Sequence, residues 1–362
     1  MSWSCNAITH GLTIFSDNRI GPCCQISADY LKPINEISNP DRFSDLLTEN
    51  APAACEKCTV AEYNNLPSYR ASFNRCNVDN SDKRVVFLDI RNTNLCNLKC
   101  RYCGPHFSNQ WGTEIGIKNS LRSTTIDSYL DQIITNKLSN LYFTGGEPLI
   151  SSDHWNLLKI LIEKKLSHKV ALVYNSNLTV VKYKNLDIES LWKEFKSVSV
   201  MVSFDAIGET FENIRSNAVW ADVERNIELF KTYSFVKLSV CCVLSILNIW
   251  HLEEFSKFCL KHKLPIQFVM LDGPDYLALD VIPDEFKDLA LEQLLIAQQL
   301  LGYNDFFNFA KSKVINNINQ CLINQTINHV LLLDKIRDEN MFDHLPFGQY
   351  SKNLILRNHE YE

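Results

Sequence analysis

From residue 85 onward, short apolar runs alternate with longer stretches in which apolar positions recur every three or four residues. The runs are 85–90 (Val-Val-Phe-Leu-Asp-Ile), 140–144 (Asn-Leu-Tyr-Phe-Thr), 169–174 (Lys-Val-Ala-Leu-Val-Tyr), 198–204 (Val-Ser-Val-Met-Val-Ser-Phe), 236–244 (Val-Lys-Leu-Ser-Val-Cys-Cys-Val-Leu) and 266–271 (Ile-Gln-Phe-Val-Met-Leu). Each has the length and the β-branched or aromatic content of a strand. Between them, 125–138 and 152–166 have helical period, and Trp155, Leu158, Leu161 and Ile162 fall on one face of the second. Such alternation predicts parallel α/β architecture. Six strand–helix units occupy about 190 residues, whereas a full eight-unit barrel takes about 250. A partial (β/α)6, TIM-like barrel is therefore expected, with an open doubly wound sheet as the alternative.

The flanks of this region read differently. Residues 1–80 are broken by the turn signals Gly21-Pro22, Asn39-Pro40 and Asn77-Val-Asp-Asn80, and they bury little core unaided. Metal ligation is the usual compensation in so small a module. Stretches 283–301 and 304–337 read as helices rich in Leu, Ile, Asn and Gln, ahead of a polar tail from about 350. The expected organisation is a cysteine-rich module over 1–80, the barrel over 81–282 and a C-terminal helical extension over 283–362.

Composition narrows the class. The chain has 362 residues, 46% of them apolar, which suits a folded protein. No apolar run approaches the roughly 18–20 residues of a membrane span, and Met-Ser-Trp-Ser-Cys-Asn has neither a basic start nor an apolar signal core. A cytoplasmic protein without membrane contact is expected. A net charge of −6 lacks the basic footprint of a nucleic-acid binder.

Thirteen cysteines without an export signal point to metal or redox roles rather than disulfides. Cys241, Cys242, Cys259 and Cys321 lie in apolar patterns and read as small buried hydrophobes. Cys96, Cys100 and Cys103 follow the first barrel strand at spacings of three and two intervening residues. They offer three thiolates and no fourth, and metal sites that leave one position open are the catalytic ones. Polar groups also follow the next four strands: Gly145-Gly-Glu-Pro148, Asn175-Ser-Asn177, Ser203 with Asp205, and Ser245 with Asn248. Each alone is an ordinary turn signal; together they mark the strand-end rim where α/β barrels place chemistry.

On these residues the chain resembles the radical SAM superfamily, whose Cys-x3-Cys-x2-Cys signature follows the first strand of a partial barrel. The resemblance implies a 4Fe-4S cluster on Cys96, Cys100 and Cys103, its fourth iron chelated by S-adenosyl-L-methionine (SAM). Tyr102 would lie against the adenine. Gly145, Gly146, Glu147 and Pro148 resemble the motif that receives the methionine ammonium, Ser203 and Asp205 the segment that contacts the ribose, and Arg215 an arginine near the SAM carboxylate. Asn177 corresponds to a residue near the ribose, although Leu178 follows it where glycine is usual.

Cys5, Cys23 and Cys24, Cys55 and Cys58, with Glu62 and Ser68-Tyr-Arg70, are similar to the auxiliary-cluster module called twitch, a shortened relative of the SPASM domain. Here it precedes the barrel. It implies a second 4Fe-4S cluster on Cys5, one of Cys23 and Cys24, Cys55 and Cys58; a four-cysteine zinc site is the alternative. Cys76 is left over, as a fifth ligand, a hydrogen-atom donor or neither. The resemblance further implies reduction by an external donor such as flavodoxin or ferredoxin, at the low end of the roughly −700 to +450 mV that biological clusters span. Cleavage of SAM would then give a 5'-deoxyadenosyl radical that abstracts hydrogen from substrate. Relatives with such modules modify ribosomal peptides in natural-product biosynthesis, so a net oxidation or crosslink of a peptide is expected, with a sugar, nucleoside or other small molecule as the alternative. A reading from another class is a non-catalytic iron-sulfur or zinc protein that senses redox state or binds a partner.

Overall fold

The computed structural model describes residues 3–79 and 81–348; the expected polar tail lies outside them. Its central sheet has nine strands: β1 (Gly11–Phe15), β2 (Arg19–Gly21), β3 (Lys32–Pro33), β4 (Phe87–Arg91), β5 (Asn140–Phe143), β6 (Ala171–Ser176), β7 (Ser197–Ser203), β8 (Val236–Leu244) and β9 (Ile266–Met270). The strand order is β9-β8-β7-β6-β5-β4-β1-β2-β3. Strands β4–β9 are the six that the apolar runs predict, and they neighbour one another in sequence order, as βα repetition dictates. The α/β class with C-terminal helices is thus the observed one.

Three strands escape the sequence pattern. Strand β1 pairs in parallel with β4, Thr13 opposite Asp89, and β2 and β3 follow as antiparallel neighbours. Leu12 and Ile14 are buried on β1. The N-terminal module is therefore stitched to the sheet edge by backbone hydrogen bonds as well as by whatever its cysteines hold.

The chain divides into two compact units. Unit 1 comprises residues 1–97, 105–201 and 228–237, and unit 2 comprises 98–104, 202–227 and 238–362. The expected boundary at 80/81 falls inside unit 1 and that at 282/283 inside unit 2. In unit 1, α1 (Asn6–His10), α2 (Glu56–Tyr63) and α3 (Tyr69–Asn74) belong to the N-terminal module, and α4 (Ser152–Glu163) covers one face of the sheet. That face presents Leu88, Ile90, Leu141, Phe143, Leu172 and Tyr174, all buried. His154 of α4 meets Phe143 and Tyr174 edge-on, with ring centroids 4.6 and 5.4 Å away. Period-two alternation turns Asp89, Arg91, Tyr142, Val173 and Asn175 to the opposite face.

Unit 2 contains α5 (Gly208–Ile214), α7 (Leu252–Lys261), α8 (Lys287–Leu301), α9 (Asn304–Asn316) and α10 (Ile323–Arg337); α6 (Trp220–Lys231) precedes α7 in the chain. Phe204 packs on Phe255 and Trp220, and Phe268 on Phe307.

Two helix expectations need correction. Over 125–138 only the turn Asp127–Tyr129 and the short helix Leu130–Ile133 form. Ile126, Leu130, Ile133, Ile134 and Leu138 are all buried as the pattern requires, but Thr135 and Asn136 are poor helix formers and the backbone at Ile134 is already extended. The stretch 304–337 is two helices, because Asn317 turns to φ 28° and its amide reaches the carbonyl of Ile282 and the carboxylate of Asp284. Cys241, Cys242 and Cys259 are buried as expected, whereas Cys321 is exposed. Among the described residues no helix is long and apolar enough to cross a membrane.

Candidate functional site

Parallel pairing of β4 with β5 brings the cysteine segment and the Gly-Gly-Glu-Pro segment side by side. The amide of Gly146 donates to the carbonyl of Thr93 at 3.1 Å, and that of Glu147 to Leu95 at 2.7 Å. The approach is so close that a Cβ on Gly146 would lie 2.1 Å from the Leu95 oxygen. Gly145 has φ 108°, a conformation side-chain-bearing residues rarely adopt. Both glycines are thus required by the backbone that leads directly into Cys96.

Glu147 is 2% exposed, and its carboxylate is already occupied by the chain. One oxygen accepts from Leu149 N and Ser176 Oγ, the other from Asn177 N at 2.7 Å. Its visible role is to tie the third strand end to the Gly-Gly turn, and Pro148 begins the tight turn that follows. The Asn177 amide in turn donates to Asn97 Oδ1, and Asn97 to Thr179 Oγ1. Leu178, where glycine would be at ease, takes φ 55° while fully buried; a left-handed leucine costs about 1–3 kcal/mol, offset by its surroundings.

Several asparagines that the motif reading passed over hold this loop. Asn94 bonds to the Pro105 and Ser120 carbonyls and to Arg122 N, and Asn109 Oδ1 accepts from Cys96 N at 2.9 Å. The signal was the run Asn92-Thr-Asn-Leu-Cys-Asn97: buried amides are the economical way to satisfy loop backbone groups.

The remaining triplet cysteines belong to unit 2. Lys99–Cys100 pairs antiparallel with Arg215–Ser216. Arg215 is 6% exposed. Its Nε donates to Asp205 Oδ2 at 2.9 Å, its Nη1 lies 3.7 Å from Cys100 Sγ, and its guanidinium sits 5.5 Å from the Tyr102 ring centroid. Tyr102 OH donates to the same Asp205 oxygen at 2.5 Å, and Val243 N to the other at 2.8 Å. The Asp205 carboxylate is thereby engaged within the protein, while Ser203 ends β7 half-buried. A hydrogen bond from Cys103 and the charge of Arg215 draw the Cys100 thiol down to about 7 against its burial, which favours the thiolate a metal needs.

The upstream cysteines meet in unit 1. Cys5, Cys23, Cys55 and Cys58 line one partly open pocket, together with Trp3 and Arg70. Burial pushes the thiols of Cys5, Cys23 and Cys55 up, to about 11 for Cys55. Arg70 is fixed by Glu62, which also accepts from Ser68, and stacks 4.1 Å from the Trp3 ring. Cys24 does not line this pocket: its thiol bonds Asp89 on β4. Cys76 lies elsewhere, with Sγ 3.9 Å from the Ser72 carbonyl. Among the described residues no three His, Cys, Asp or Glu groups are drawn into a single-ion site. Soft thiols on separate elements around a shared space suit an iron-sulfur cluster and a four-cysteine zinc ion alike.

Residues 90–259 match the family model of the radical SAM superfamily. They form a radical SAM domain. The match contains Cys96, Cys100, Cys103, the Gly-Gly-Glu-Pro turn, Asp205 and Arg215, and the family implies a 4Fe-4S cluster and SAM. The chain is 25% identical over 168 residues to a GTP 3',8-cyclase of Pasteurella multocida (strain Pm70), covering 46% of this chain and 47% of that one. A GTP 3',8-cyclase of Aliarcobacter butzleri (strain RM4018) is 25% identical over 194 residues, 53% and 57% of the two chains. The chain thus spans about half the length of the curated relatives it matches. Among solved structures, native anSMEcpe with bound AdoMet aligns over 61% of each chain at 22% identity and a TM-score of 0.43. Streptococcus suis SuiB bound to S-adenosylmethionine aligns over 73% of this chain and 57% of its own, at 14% identity and a TM-score of 0.38.

Proposed function

We propose that the protein is a radical SAM enzyme that oxidises a small-molecule substrate with the help of a second iron-sulfur cluster. Cys96, Cys100 and Cys103 would hold the first cluster, and Cys5, Cys23, Cys55 and Cys58 the second. Bound there with SAM and fed by an external donor such as flavodoxin or ferredoxin, these groups would supply one-electron reduction of SAM, the radical that takes hydrogen from substrate, and an acceptor for the electron released.

The chain's own residues contribute positioning and charge. Arg215 stands beside Cys100 and favours its ionised form, and Asp205 fixes Arg215 and Tyr102. Glu147 acts as a positioning residue, leaving the backbone of Gly145 and Gly146 to receive the ammonium of SAM. Asn177 braces the same turn.

The observation that carries the reading is the backbone contact of Gly146 and Glu147 with Thr93 and Leu95, which joins the two family motifs into one structure. For the second cluster it is the convergence of four cysteines, from three separate stretches of chain, on one pocket. The curated relatives are named for a reaction of GTP, which favours the small molecule of the alternative reading over the ribosomal peptide expected from the sequence. The test is anaerobic reconstitution followed by dithionite and SAM. Formation of 5'-deoxyadenosine that disappears in Cys96→Ala supports the enzyme; equal yields in both sink it. A Cys96/Cys100/Cys103 triple alanine variant should keep about four irons, and retention of zinc instead would refute the second cluster.

A further inference from the structure

Arg91 closes β4 on the sheet face opposite α4, five residues before Cys96. Its Nε donates to both oxygens of Asp89 at 3.1 and 3.0 Å. Its two Nη groups meet no hydrogen-bond acceptor among the described residues, and the side chain is 23% exposed. The guanidinium lies 5.7 Å from the ring centroid of Tyr142, which is opposite Asp89 in the β4–β5 register. On the same face Asn175 Oδ1 is buried with no partner. Its place is set by register, since Val173 pairs with Tyr142 and Asn175 follows two residues on.

A structural arginine ordinarily spends its Nη fork on carboxylates or carbonyls, since that fork carries most of its hydrogen-bonding capacity. Here Asp89 engages only Nε and leaves the Nη fork to other partners, while the Cys24 thiol bonds Asp89 in turn. The opposite case is in the same molecule. Arg101, fully buried, uses both its Nη groups on the protein. A polar group left unmade on a half-buried face calls for a partner that the protein itself does not provide.

We propose that Arg91, aimed by Asp89, binds an anionic group of the substrate, a carboxylate or a phosphate, and that Asn175 Oδ1 accepts a hydrogen bond from a donor on the same molecule. This rests on the radical SAM reading above and adds the chemical class of its substrate. In barrel-type folds the face away from the helices is the interior on which ligands are held. The Asp89–Arg91 pair is neutral overall, so selectivity comes from the direction of the fork, and a bare anion should bind with a Kd on the order of 1 mM.

The test uses the full chain and needs no turnover. Inorganic phosphate is followed by 31P line broadening and succinate by 1H saturation transfer, each titrated against wild type, Arg91→Gln and Arg91→Lys. Wild type should bind at least one probe saturably. Arg91→Gln should weaken that binding by about 10-fold or more, the worth of a charge-assisted fork. Arg91→Lys keeps the charge without the fork and should fall between, and circular dichroism melts show that each variant is folded. Phosphate binding alone assigns a phosphorylated substrate, succinate alone a carboxylate, and both the shared anion site. If wild type binds neither probe, or if both variants bind as wild type does, the proposal is overturned. SAM cleavage by the wild-type chain is scored separately, so either idea can fail alone.

Discussion

Arg101 Nη2 donates to Asp334 at 2.5 Å, and this bond joins the cysteine loop to the C-terminal helix α10. Arg101 lies between Cys100 and Cys103's neighbour Tyr102 in the chain and is fully buried. Glu339 takes the same nitrogen at 2.6 Å, Nε donates to the Asn213 carbonyl at 2.6 Å, and Nη1 to Val330 at 3.2 Å. From α10, Arg337 also reaches the Lys99 carbonyl at 2.8 Å, and His329 the Arg101 carbonyl at 3.0 Å. The helical extension thus grips the loop that carries Cys100 and Cys103. Removing one partner of a buried pair strands the other, at a cost of about 3–5 kcal/mol. Arg101→Met should lose about that much in urea unfolding, and Asp334→Asn less, because Glu339 still accepts from the same guanidinium nitrogen. Unchanged unfolding midpoints would remove α10 from any role in holding the loop.

The Gly-Gly turn makes a sharper demand. A methyl at residue 146 has only backbone to push against, and the Leu95 oxygen it meets belongs to the residue before Cys96. Gly146→Ala should cost about 1–3 kcal/mol in stability and weaken SAM retention, read by equilibrium dialysis under anaerobic conditions. Gly104→Ala, which meets nothing within 4 Å, is the control and should leave stability unchanged. Equal effects of the two would mean that the close approach carries no strain.

The upstream cysteines yield a distinction that spacing could not make. Cys23 faces the pocket and Cys24 faces Asp89. In the background lacking Cys96, Cys100 and Cys103, Cys23→Ala should lose most of the remaining iron, whereas Cys24→Ala should keep it. Iron and sulfide analysis after gel filtration decides the matter, and the reverse order would reassign the ligand.

How much was legible beforehand follows from the range of the interactions. The six strands β4–β9 were visible because each satisfies a local pattern of apolar residues. The Gly145-Gly146 turn and the cysteine triplet were visible because chemistry fixes their spacing. Strand β1 was hidden: Gly11-Leu-Thr-Ile-Phe15 is too short to signal alone and is a strand because β4 offers it an edge. The grip of Asp334 on Arg101 spans 233 residues, and no local pattern encodes it. The choice between Cys23 and Cys24 depends on which way one tight turn faces. The same holds for Asp205 and Glu147, which the resemblance sends to the cofactor and the structure shows bonded to Arg215, Tyr102 and Asn177.

A last prediction concerns acid. His154 of α4 is 2% exposed among Phe143, Trp155 and Tyr174, and Tyr174 OH lies 3.0 Å from its Nε2. Its Nδ1 has no partner, and the residue also borders a small pocket with Glu147 and Ser151. Burial holds its pKa down to about 3, against 6.5 for a free histidine. Between those values the unfolded chain binds a proton that the folded chain refuses, so folding weakens as pH falls below about 6.5 and is not penalised above it. The slope for one such group is about 1.4 kcal/mol per pH unit, giving about 2 kcal/mol by pH 5. Other groups titrate in the same range, so the informative quantity is the difference between wild type and His154→Phe. The variant loses the Tyr174 bond at every pH, a constant offset, but its stability should fall less steeply between pH 6.5 and 5. Parallel curves from urea unfolding across that interval would show that His154 takes up its proton in the folded state, and that the α4 face is more open to water than its packing indicates.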